Sequence, residues 1–174
     1  MSAAETRRIF FAVWLAPEAA QAMHRTAVLA QQGCGGRAMR PETLHVTLAF
    51  LGDVSPAQLA VATAIADGIE GKEFFLTLDR LGYWKHNRIL WAGADSPPLL
   101  ALADVLSSGL RTDGFSIDNR PFAPHVTLLR DARCPNTPQL STAVNWPVRE
   151  FVLAESRRGA AGSHYEILGR WRLS

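Results

Sequence analysis

One phrase occurs twice in this chain. Arg40-Pro41-Glu42-Thr43-Leu44-His45-Val46-Thr47-Leu48 returns 80 residues later as Arg120-Pro121-Phe122-Ala123-Pro124-His125-Val126-Thr127-Leu128. The same spacing relates Arg8 to Arg88, Ile9 to Ile89, Ala12 to Ala92 and Pro17 to Pro97. A single offset therefore aligns strand, helix and strand in two stretches, roughly 8–52 and 88–132. Two dissimilar copies are too few for a solenoid, and they predict an internal duplication packed about an approximate twofold axis, with His45 and His125 facing each other across a cleft.

The local signals fill in this frame. Arg8–Leu15 reads as a buried strand, and Pro17 opens a helix to about Gln32 that Gly33-Cys34-Gly35-Gly36 breaks. Leu44–Leu51 reads as a strand ended by Gly52-Asp53. Ser55-Pro56-Ala57-Gln58 is a capping-box start for a helix to about Ile69. Phe74–Leu81 and Arg88–Ala94 read as strands around a turn at Tyr83–Asn87, and Leu99, Leu102, Ala103, Leu106 and Leu110 follow helical spacing. Residues 111–123 look irregular, His125–Leu129 is a strand, 131–147 reads as a loop, and Arg149–Glu155 and Tyr165–Leu173 close the fold as strands.

At 174 residues and 48% hydrophobic composition the chain suits one globular domain, and its formal charge of +2 is only mildly basic. From Arg111 onward every basic residue is arginine, so any basic surface is expected in the C-terminal third. Cys34 and Cys134 are the only cysteines and have no metal-like spacing, which argues against a disulfide scaffold or zinc ribbon and for a reducing cytoplasm. Arg7-Arg8 before an apolar run imitates a signal peptide, but the run is short and better explained as the first strand. No stretch approaches the ~20 apolar residues of a membrane span.

The repeated strands carry the chemistry. Alternation puts His45, Thr47 and Ala49 on one face and Val46, Leu48 and Phe50 on the other, with His125 and Thr127 likewise set against Val126 and Leu128. Each copy is a polar pair on an apolar anchor. A lone histidine in a strand is ordinarily just a hydrogen-bonded polar residue; its repetition together with threonine two places on argues for use. Two imidazoles with reference pKa near 6.5 can hold opposite protonation states near neutrality, and two hydroxyls can donate to anionic oxygens between them. That equipment suits displacement at a phosphodiester by general acid and base catalysis, with no cofactor, metal or nucleophilic side chain required. A binding module is the first alternative, which the intact histidines and threonines oppose. A metallohydrolase is the second, but neither histidine has a companion ligand at suitable spacing, and Asp53 and Asp131 read as turn residues. His24, His86 and His164 read as structural or exposed.

On these motifs, with Arg8-Ile9-Phe10-Phe11-Ala12, Leu44–Gly52, Pro121–Arg130, Glu155-Ser156 and the closing Tyr165, Trp171 and Leu173, nearly the whole chain resembles the two-histidine phosphoesterase superfamily and its LigT-like RNA 2′,3′-cyclic phosphodiesterases. The resemblance implies an α+β fold, a single bilobed domain over residues 1–174 with two antiparallel sheets flanking a central cleft and helices outside. It implies hydrolysis of a terminal cyclic phosphate on RNA to a 2′-phosphate, with His45 as proton donor and His125 as proton acceptor, and reversible ATP-independent 2′-5′ joining. RNA ends, as in tRNA fragments or short oligonucleotides, are the expected partners of a cytoplasmic monomer. Thr47, Thr127 and Arg130 are the phosphate-binding candidates, but strict alternation puts Arg130 on the face away from His125 unless the strand bends or ends by Leu129. Arg40 and Arg120 read as surface residues. Among the aromatics, those inside strands read as core, and Tyr83 and Trp84, in a predicted turn, are the candidates for stacking on a base.

Overall fold

The computed structural model describes residues 5–174. Its strands are β1 (Arg7–Trp14), β2 (Arg37–Ala38), β3 (His45–Val54), β4 (Phe74–Leu78), β5 (Arg80–Trp84), β6 (Ile89–Gly93), β7 (His125–Arg130), β8 (Val144–Val148), β9 (Glu150–Gly159) and β10 (Gly162–Arg172). The helices are α1 (Pro17–Cys34), α2 (Pro56–Asp67) and α3 (Pro97–Thr112). The expected capping box is present at α2, where Ser55 and Gln58 bond reciprocally. Ser96 caps α3, whose buried stripe is Leu99, Leu102, Ala103, Leu106 and Leu110.

The strands pair antiparallel in an α+β architecture with two sheets. The larger sheet runs β10-β9-β1-β3-β7-β6-β5, with β2 added beside β7, and β4 and β8 form a two-stranded ribbon. The larger sheet has a narrow waist, because β3 and β7 share only the pair Val46–Val126. Helices cover one face, over a core of Ile9, Phe11, Val13, Met23, Leu44, Val46, Leu106, Val126 and Leu128. On the opposite face of β1 and β9 sits a smaller apolar cluster of Phe10, Ala12, Val152 and Ala154, bordered by Trp14, Tyr165 and Ile167. Both faces of β1 are thus packed, which explains its continuous run of apolar residues.

Several expectations need correction. The predicted Phe74–Leu81 strand is two strands in different sheets, separated at Asp79. The predicted 131–147 loop ends in β8, which pairs with β4 and buries Trp146. Asp53 lies within β3, which runs on to Val54. Tyr83 and Trp84 belong to β5; the turn is residues 85–88. Tyr83 is half-buried and donates its hydroxyl to the Ala132 carbonyl, so it is a structural residue. The two cysteines, expected not to form a disulfide scaffold, are joined as a disulfide that ties the end of α1 to the segment after β7 across 100 residues of chain. Their usage therefore no longer argues for a reducing compartment. Among the described residues no helix is long and apolar enough to cross a membrane.

Candidate active site

Val46 and Val126 point into the core, so His45 and Thr47, and His125 and Thr127, leave the opposite face on either side of the waist. The antiparallel register sets His45 toward Thr127 and Thr47 toward His125. The two sequence-predicted pairs are thereby brought to one place.

Alternation fails at the leucine that follows the threonine of each motif, and this decides what else reaches the site. In β3 the partners of Phe11 and Ala12 are Ala49 and Thr47, which skips Leu48; in β7 the partners of Leu90 and Trp91 are Leu129 and Thr127, which skips Leu128. A bulge at the corresponding place in each strand puts one extra residue into the ladder. Leu48 and Ala49 are both buried, as are Leu128 and Leu129. Phe50 and Arg130 consequently emerge on the histidine face. The strict-alternation grouping of Ala49 with His45, and of Phe50 with the core, is therefore corrected, and the objection to Arg130 is removed. Its charge is felt at both imidazoles. Phe50 is 45% exposed, with the Arg8 guanidinium 4.7 Å above its ring.

The two imidazoles are held alike. His45 Nδ1 lies 2.7 Å from the Thr43 carbonyl and His125 Nδ1 2.9 Å from the Ala123 carbonyl. A carbonyl only accepts, so each Nδ1 donates its hydrogen, and the neutral ring carries its lone pair on Nε2.

Their surroundings differ. Trp14 pairs opposite His45 and Gly93 opposite His125, so β1 and β6 correspond at a spacing of 79 whereas β3 and β7 correspond at 80. The sequence offset that matched Ala12 with Ala92 is one residue out of register, a slip that exchanges faces. Trp14 stacks on His45 at 4.7 Å, with Phe10 at 5.1 Å and Tyr165 edge-on at 5.2 Å. Trp14 is anchored by its indole N–H, which donates to the Glu42 carbonyl at 2.8 Å. Among the described residues the ring packed on His125 is that of Trp84, in a T-shaped contact at 4.6 Å. The residue opposite His125 is Gly93, over which the Trp91 ring lies, so that a Cβ there would come within 2.6 Å of that ring.

Electrostatics follow from enclosure. Burial pushes the His45 pKa down to about 4, partly offset by the Thr43 carbonyl, and the charges of His125 and Arg130 lower it further. Burial also lowers His125, against the bond to Ala123 and with the repulsion of Arg130. Both shifts favour the uncharged rings near neutrality.

The other sequence candidates lie elsewhere. Arg40 pairs with Glu42 and bonds the Ser163 carbonyl, and Arg120 pairs with Asp118, both at the surface. His24 bonds the Met39 carbonyl. Trp14, Phe10, Tyr165 and Phe50 were missed as site residues, since an aromatic in a strand ordinarily packs in the core. The signal that could have exposed Phe50 is the adjacent apolar pair Leu48-Ala49, echoed by Leu128-Leu129. Among the described residues, no three His, Cys, Asp or Glu side chains come together as metal ligands would. A cavity of about 600 Å³ lies beside Trp14, Thr43 and Tyr165 and is lined by neither motif histidine.

Comparison with known proteins agrees with this geometry. The family described as "LigT like Phosphoesterase" matches residues 13–91. An RNA 2′,3′-cyclic phosphodiesterase of Escherichia coli (strain K12) is 36% identical over 173 residues, covering 98% of each chain. One of Thermus thermophilus is 29% identical over 181 residues, covering 95% of this chain and 90% of that one. The crystal structure of E. coli LigT complexed with 3′-AMP superposes with a TM-score of 0.89 at 35% identity, covering 98% of this chain and 99% of the other.

Proposed function

The chain belongs to the LigT-like phosphoesterase family, and we propose that it performs the reaction its relatives are named for, hydrolysis of a 2′,3′-cyclic phosphate at the end of RNA. The observation that carries this reading is the matched pair of imidazoles, each tied through Nδ1 to a backbone carbonyl, with a threonine from the other half alongside.

In this mechanism the cyclic phosphate lies between the two halves. Thr47 and Thr127 hydroxyls donate to its non-bridging oxygens, and the Arg130 guanidinium offsets their charge. His125 accepts a proton through Nε2 from a water as the water oxygen bonds to phosphorus. The bond from phosphorus to the 3′ oxygen breaks, and protonated His45 gives its proton to that oxygen. The products are a 2′-phosphate and a 3′-hydroxyl. Replacing water by the 5′-hydroxyl of another strand gives the reverse of 2′-5′ bond cleavage, so the same site joins ends without ATP. Phe50 offers a half-exposed ring to the terminal base, as single-stranded RNA recognition by stacking requires. We assign His45 the donor role by family likeness. An anionic phosphate beside it reverses the effect of burial and loads it with the proton it must give.

The reading extends to a single bilobed, duplicated domain that acts as a monomer in the cytoplasm on tRNA fragments or short oligonucleotides. It is tested by incubating the protein with an oligonucleotide ending in a 2′,3′-cyclic phosphate in excess EDTA. Turnover to a 2′-phosphomonoester is expected; no turnover, loss of turnover in EDTA, or a 3′-phosphate product contradicts it.

A further inference from the structure

Beside Arg130 the sheet carries a second arginine that the steps above do not use. β2 consists of Arg37 and Ala38, which pair with the end of β7, Arg37 opposite Arg130 and Ala38 opposite Leu129. Residues directly opposite in an antiparallel pair leave the sheet on the same face, with Cβ atoms about 5 Å apart. The bulge at Leu128 has already turned Arg130 to the histidine face, so Arg37 emerges there too. Burial agrees: Ala38 and Leu129 turn inward, while Arg37 is exposed and Arg130 half-exposed.

Like charges directly opposite destabilise a sheet. Among the described residues neither arginine has a carboxylate within ion-pairing distance, unlike Arg40, Arg88 and Arg120. The chain nevertheless holds the pair firmly. A Cβ on Gly36 would lie 2.5 Å from the Arg130 carbonyl oxygen, and Gly36 has φ of +78°, so only glycine lets β2 come this close. The Met39 N–H donates to the Leu128 carbonyl at 2.9 Å and the Arg133 N–H to the Cys34 carbonyl at 2.8 Å. The Cys34–Cys134 disulfide links the same two segments. A fixed, uncompensated pair of guanidinium groups at the edge of a phosphate site is complementary to a further phosphate.

We propose that Arg37, next to Arg130, forms a second phosphate subsite that takes the phosphate on the 5′ side of the terminal nucleotide. A cyclic phosphate ends its strand, so any second phosphate of that strand lies on the 5′ side. The subsite rests on the phosphodiesterase reading and deepens it: the preferred substrate is a nucleotide that continues into, or at least carries, a 5′-phosphate.

The test compares adenosine 2′,3′-cyclic phosphate with the same nucleotide bearing a 5′-phosphate, using the wild-type protein, Arg37→Gln and Arg37→Lys. The 5′-phosphate is expected to raise wild-type kcat/KM. Arg37→Gln is expected to reduce that gain by about tenfold, the scale of one charge-assisted contact, and Arg37→Lys to retain part of it. On the unmutated protein, rising salt is expected to shrink the gain faster than it lowers activity on the unphosphorylated nucleotide. No gain in the wild type, a gain unchanged in Arg37→Gln, or a gain insensitive to salt overturns the subsite. No turnover of either nucleotide by the wild type overturns the phosphodiesterase reading instead.

Discussion

Trp14 and Gly93 occupy corresponding places opposite the two histidines, and this one difference makes a pseudo-symmetric pair chemically unequal. His45, under an indole and beside two further rings, is pushed down to about 4, while the less enclosed His125 is lowered in the same direction. The sign of the stability effect is fixed by this. Folded His45 titrates near 4 and the unfolded side chain near 6.5, so its contribution is complete above pH 6.5 and is lost as pH falls toward 4. Melting temperatures of the ligand-free protein are expected to fall across that window, and to fall less in His45→Asn. Binding runs the other way. A phosphate anion between the rings raises both pKa values, so nucleotide binding near pH 6.5 is expected to take up protons, measured by calorimetry in buffers of different ionisation enthalpy. Trp14→Ala should move the His45 titration, followed by NMR, back toward 6.5 by readmitting water.

The bulges act at the scale of the element. Were alternation unbroken through Leu48 and Leu128, Phe50 and Arg130 would face the core and neither would reach the histidine face. The polar face of each motif strand was legible in the sequence as far as Thr47 and Thr127, because alternation holds that far. Beyond it the adjacent apolar pairs broke the period, and a bulge depends on the partner strand, which no local pattern specifies. The one-residue difference between the 79 and 80 spacings was hidden for the same reason: Ala12 and Ala92 match as letters but not as neighbours of the motif strands. β2 is too short to have a pattern, and the strand identity of 144–148 lay in its partner β4. The seat of β2 gives a test. Gly35 and Gly36 both have positive φ, but a Cβ on Gly35 meets nothing within 4 Å, whereas one on Gly36 meets the Arg130 and Ala132 backbone. Gly35→Ala is expected to cost about 1 kcal/mol and Gly36→Ala about 2–4 kcal/mol by chemical denaturation, with the greater loss of activity in Gly36→Ala.

For the whole molecule, the disulfide and the waist matter most. The disulfide closes a loop of 100 residues that holds the second half and the motif strand of the first, so Cys134→Ser is expected to lower stability by about 2–5 kcal/mol, read from urea midpoints under non-reducing conditions. In the proposed mechanism the waist lets each half supply one histidine to one phosphate. That division of labour is tested most directly with a cyclic nucleotide whose bridging 3′ oxygen is replaced by sulfur, since a thiolate leaves without needing a proton. His45→Ala, nearly inactive on the oxygen substrate, should regain most of its rate on the sulfur one, while His125→Ala stays inactive on both. Equal rescue of the two variants, or rescue of His125→Ala alone, would contradict the assignment of acid to one half and base to the other.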